Sequence, residues 1–103
     1  MRFMMKVVLD TETTNELVRE GRMGELIGEI LADQQPEAAY FTAEYGQRTA
    51  ILFVNYDDPS ELPRLAEPWF LAFNATIEVQ PAMTAEDVEK AGPFIEDAAK
   101  RFA

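Results

Sequence analysis

The chain contains no cysteine and no histidine. Without cysteine there is no disulfide, no thiolate metal site and no thiol nucleophile. The missing histidine excludes more: Ser-His and Cys-His couples, haem held through imidazole, and the usual zinc sites. A metal would have to rest on carboxylates and carbonyls, the donor set of Mg²⁺ or Ca²⁺. No cofactor is expected and no residue is assigned to a metal. Basic residues are scarce too, nine Lys and Arg against nineteen Asp and Glu, for a net charge of -10. A field of that sign repels phosphate backbones and anionic membranes. The one apolar run near the start, MRFMMKVVLD, is too short and too interrupted by charge for a signal peptide or a membrane span. The cytoplasm is therefore the expected location, with no membrane partner.

What is present suffices for a core. The 103 residues are 48% hydrophobic and 11% aromatic, which suits one domain over residues 1–103. FMMKVVL at 3–9 reads as a strand that stops at Asp10. A helical stretch follows to about Gln35, where Pro36 closes it. EAAYFTAEY and RTAILFVNY flank Gly46 as a hairpin with a two- or four-residue loop. Asp58-Pro59-Ser60 opens a second helix, with Asp58 as its N-cap, and Pro63 and Pro68 make that helix irregular. ATIEVQP alternates as a fourth strand. TAED at 84–87 is a capping box opening a helical extension over 84–103, which Gly92-Pro93 is expected to break before a last piece to about Phe102.

The order β-α-β-β-α-β with a helical tail predicts a ferredoxin-like α+β fold: an antiparallel four-stranded sheet ordered 4-1-3-2, helices on one face. Period-two alternation then sorts the faces. Ala39, Phe41, Ala43, Ile77 and Val79 go to the helices. Met4, Lys6 and Val8 go outward on the first strand, with Tyr40, Thr42 and Glu44 on the second. Thr49, Ile51 and Phe53 join them from the third, and Thr76, Glu78 and Gln80 from the fourth. The outward face is too apolar to remain in water as one patch. A second copy of the same sheet is the simplest cover, giving a homodimeric α/β barrel, although the C-terminal helices offer another.

The segments MRFMMKV, PEAAYFTAEYGQRTAILFV and DPSELPRLAEPWFLAFNATIEVQPAMTAEDV together resemble a family of small uncharacterised bacterial proteins. That family is similar to the dimeric α/β-barrel superfamily, whose broader members include YciI-like proteins, muconolactone isomerases and antibiotic-biosynthesis monooxygenases. The likeness covers nearly the whole chain. It implies the fold and a homodimer rather than an activity. YciI-like proteins typically carry a His-Asp pair, which a chain without histidine does not reproduce.

Two constellations bear on function. In GRMGELIGEI, Gly21 and Gly24 have the spacing of the KH-domain loop that clamps nucleic acid. Glu25, Glu29 and the overall charge oppose phosphate binding there. The helical phase is also broken: Met23, Leu26, Ile27, Ile30 and Leu31 share one side, but the same wheel run backward puts Glu16 at its centre. A left-handed cap at Gly21 removes the conflict, with Gly24 and Gly28 then expected to seat the second helix against a neighbouring backbone. The other constellation is Lys6 and Glu78 on neighbouring strands of the outward face, near Tyr40, Thr42 and Thr76. The expected function is binding, either of a protein partner or of a small apolar or amphipathic molecule, for which Lys6, Tyr40, Thr42 and Glu78 would be the polar groups of the pocket. Lys6 and Glu78 equally suit a cross-strand ion pair at an interface. An isomerase- or monooxygenase-like enzyme would need Lys6, Glu78 or Tyr40 to move protons. Trp69, Phe70, Leu71 and Phe73 read as core, with the indole N–H meeting a carbonyl.

Overall fold

A computed structural model describes all 103 residues. Strand β1 (Arg2–Val8) leads into α1 (Thr11–Arg19) and α2 (Met23–Gln34). Strands β2 (Ala38–Glu44) and β3 (Gln47–Asn55) form a hairpin. A 3₁₀ turn, Pro59–Glu61, runs into α3 (Leu62–Phe73), then β4 (Thr76–Pro81) and α4 (Ala85–Phe102). The sheet order is β2-β3-β1-β4 with every neighbouring pair antiparallel, so the fold is ferredoxin-like.

Each turn has a local cause. Tyr45 and Gly46 both adopt positive φ, 49° and 78°, which gives the two-residue loop the twist an antiparallel hairpin needs. Asp10 caps α1 by accepting from the Thr13 N–H at 2.9 Å. Gly21 ends α1 at a φ of 69°. Its N–H donates to the Val18 carbonyl and the Arg22 N–H to the Leu17 carbonyl, the paired bonds of a Schellman cap. The expected break at Gly21 is therefore real. Asp58 caps the 3₁₀ turn through the Ser60 N–H at 2.9 Å, and α3 then continues through Pro68 to Phe73.

The core lies between one sheet face and the helices. Met5, Val7, Ala50 and Leu52 are fully buried beneath Leu17, Ile30, Leu65, Trp69 and Phe73. Ile77 and Val79 pair with Val7 and Met5 and face the same way. Gln34 ties α2 to α3 inside this core: its Nε2 donates to the Leu65 carbonyl at 2.8 Å, and its Oε1 accepts from Trp69 Nε1 at 3.3 Å. The carbonyl anticipated for the indole is thus the Gln34 side-chain amide.

Three expectations need correction. Side chains placed at Gly24 or Gly28 would meet nothing within 4 Å, so these glycines seat α2 against no backbone of this chain. Helix α4 is not broken at Gly92-Pro93 but runs unbroken from Ala85 to Phe102. Pro93 removes one backbone bond and crowds the Glu89 carbonyl one turn earlier, at a cost of about 3 kcal/mol, yet the helix continues through it. The helical extension does not cover the outward sheet face either: none of its residues is buried.

These glycines give a direct test. Gly21→Ala forces a Cβ into left-handed backbone and should lower stability by about 1–2 kcal/mol in urea melts. Gly28→Ala, inside a helix with open space around it, should raise it by up to ~1 kcal/mol. A destabilising Gly28→Ala would reveal a contact that the fold of one chain does not contain.

Candidate functional site

The register lays the outward face out in rows. Ala38, Phe53, Met4 and Gln80 form one, Tyr40, Ile51, Lys6 and Glu78 the next, and Thr42, Thr49, Val8 and Thr76 the third. The central strands β3 and β1 thus supply Phe53, Ile51, Met4 and Val8, together with Lys6 and Thr49. The edge strands supply mostly polar groups. Apolar side chains around one central charge, with polar groups on the edge strands, are the anatomy of an interface or a ligand-binding wall.

Lys6 stands in the middle of this face. Its Nζ donates to Glu44 Oε1 at 3.1 Å and lies 3.5 Å from Glu78 Oε2. The Lys6 and Glu44 side chains are largely covered, at 25% and 32% exposure, whereas Glu78 is 60% exposed. The hydrogen bond to Glu44 raises the Lys6 pKa most, and burial opposes it. The charges of Glu44 and Glu78 add to the upward shift. Lys6 therefore stays an ammonium at neutral pH and is a poor proton acceptor. With two carboxylates to one ammonium the cluster keeps one negative charge, carried mainly by the more exposed Glu78.

Of the four residues anticipated for the site, Lys6 and Glu78 meet, and Tyr40 lies in their row but two strands away at 62% exposure. Thr42 is exposed in the adjoining row. Glu44 takes the place nearest the ammonium. The alternation of Tyr40, Thr42 and Glu44 already put it on this face. Near the start of β1, Arg2 makes a bidentate pair with Glu37, both contacts at 2.7 Å.

No concavity of the single chain encloses Lys6. One lies on the other side of the sheet, a groove of about 340 Å³ between α2 and the hairpin, lined by Met23, Gly24, Ile27, Phe41, Thr42 and Arg48 among others. Phe41 faces the helices as expected, yet is 52% exposed because no helix reaches over β2. The groove borders the Gly21–Gly24 turn, whose helix-turn-helix setting fits a KH loop. The turn itself is poorly equipped for phosphate. The N–H groups of Gly21 and Arg22 are spent on the cap, and Arg19 and Arg22 are paired with Glu16 and Glu20.

Neither a protein-family model nor a curated protein matches the chain. Among solved structures, a formyltetrahydrofolate deformylase from Pseudomonas putida KT2440 is similar over 79% of this chain, at 12% identity and a TM-score of 0.44. The chain spans 28% of that protein's length. Strand order and one-sided helix packing define the class: a ferredoxin-like α+β domain with an added C-terminal helix. No helix is long and apolar enough to cross a membrane.

The Lys6 cluster makes a prediction by titration. In NMR, the Lys6 side chain should titrate above the ordinary lysine value of about 10.4. Glu44→Gln should bring the midpoint down further than Glu78→Gln, following the order of causes. Because the folded pKa is the raised one, Lys6 stabilises the fold below the unfolded value and ceases to as pH rises through the folded one. A Lys6 midpoint at or below the ordinary value would contradict the assigned geometry.

Proposed function

We propose that the protein is a homodimeric binding protein whose two outward sheet faces meet and enclose a small amphipathic molecule. The observation that carries this reading is the Lys6–Glu44–Glu78 cluster at the centre of an uncovered, largely apolar sheet face. The apolar side chains Met4, Val8, Ile51 and Phe53 would hold the ligand body. Glu78, the more loosely engaged carboxylate, would take its polar end. The residual negative charge favours a head that donates hydrogen bonds or is cationic, over an anion. Tyr40 and Thr42 would line the mouth. A proton-transfer enzyme is less well supported, because the Lys6 ammonium is stabilised rather than poised near neutrality.

The test compares two fluorescent probes of the same apolar body, naphthylmethylamine and naphthylacetate. The amine should bind saturably and about tenfold more tightly, a preference of ~1.4 kcal/mol. Glu78→Gln should erase most of that preference without unfolding the protein. Equal binding of the two probes, or binding of neither, would defeat this reading.

A further inference from the structure

Helix α4 is an unfinished surface. Val88, Ala91, Ile95, Ala98 and Phe102 recur at alternating steps of three and four, so they form one apolar stripe along it. Ile95 is 62% exposed, and Phe102 in the stripe and Phe94 beside it are each 79% exposed. The molecule is 59 Å long. The nine residues of β3 and the eighteen of α4 account for ~31 and ~27 Å of that length. Helix α4 therefore projects beyond the end of the sheet, and its stripe meets nothing of its own chain. An isolated helix of 18 residues carrying Gly92 and Pro93 is not self-supporting in water, so the stripe requires a partner.

We propose that the partner is α4 of a second copy, paired antiparallel along the stripe. Residues around the helix repeat every seven positions. Asp87, Phe94 and Arg101 run along one flank of the stripe, and Ala85, Gly92 and Ala99 along the other. Pro93 lies on the far side, so its missing N–H stays out of the contact. Full overlap in opposite directions sets Val88 level with Ala98 of the second copy, and Ala91 level with Ile95. Each of these layers then holds one larger and one smaller side chain. The same register places Asp87 against Arg101 at both ends, and Phe94 against Phe94 at the two-fold axis. Asp87 uses one carboxylate oxygen in the cap at Thr84, and Arg101 one nitrogen on Asp97, so both keep atoms free for this pair. Glycine and alanine on the other flank let the helix axes approach to about 8 Å. The second helix ends level with Thr84, where α4 leaves the sheet domain, so the two bodies stay clear of each other. A parallel pair fits worse. Val88 would meet Val88, Ile95 would meet Ile95 and alanine would meet alanine, in layers alternately crowded and hollow. Asp87 would face Gly92, and the helix dipoles would be aligned.

This contact is separate from the sheet-to-sheet dimer and weaker. Four phenylalanines at ~150 Å² each, with the valines and isoleucines, bring it to on the order of 1,000 Å², the size of transient interfaces. Ordering α4 opposes it as well. It sets in above about 100 μM and then joins one sheet dimer to the next, since each dimer carries two such helices.

Sedimentation equilibrium of the Ile51→Asp variant, in which the sheet contact is removed, reads the helix contact alone. Its mass should rise from one chain to two between about 10 and 500 μM, and Arg101→Glu should move the midpoint up about tenfold by setting like charges at both ends. A mass that stays at one chain throughout would overturn the inference and leave the sheet dimer untouched. Engineered disulfides fix the register, because the chain has no cysteine of its own. In the otherwise unaltered chain, mild oxidation should link Val88→Cys/Ala98→Cys between chains, since the two positions lie ~15 Å apart within one helix. Each single variant should stay unlinked. Self-linking of Val88→Cys alone would mean a parallel pair and would overturn the inference. So would a double variant that remains unlinked at about 500 μM, well above the onset of pairing.

Discussion

A β-sheet has two faces, and this chain closes only one of them. Met5, Val7, Ala50 and Leu52 are sealed under helices by Trp69, Phe73, Leu65 and Ile30. The opposite face receives no element of the chain. Hydrophobic burial scales with apolar area removed from water, so Phe53, Ile51, Met4 and Val8 hold free energy that folding of one protomer leaves unrealised. The candidate site follows from that asymmetry. Lys6 and its two carboxylates sit on the unclosed face, and α4, which is long enough to have covered it, extends away.

The closed side is specified in detail. The Schellman cap at Gly21 lets α1 and α2 each turn their own apolar residues inward, although no single helical wheel accommodates both. Gln34 then fixes α2 against α3 through two hydrogen bonds inside the core. A buried amide with both ends satisfied costs little and restricts how the two helices can slide. That rigidity holds the sheet beneath, and so holds the spacing of side chains on its far face.

The fold was legible because its signals were local and periodic. Alternation on ATIEVQP, the turn at Gly46 and the caps at Asp58 and Thr84 each follow from one stretch of chain. The candidate site was legible in part. Lys6 and Glu78 are directly opposed in register, which alternation and strand order predict. Glu44 lies two strands and four residues from Lys6, a separation only a twisted sheet and two long side chains can bridge. Sequence spacing carries no such diagonal. The glycines at 24 and 28 misled for a different reason. Their openness depends on what is absent beside them, and absence leaves no trace in the sequence. Pro93 misled because proline disfavours a helix without always ending it, and the capping box at Thr84 with the basic last turn favours one continuous helix.

Whether a second copy covers the outward face decides the rest. Sedimentation equilibrium at micromolar concentration measures this without any label or substitution. The expected mass is twice the 11.6 kDa of the chain, reduced towards one chain by Ile51→Asp at the centre of the face. A mass of one chain for the unaltered protein would contradict it.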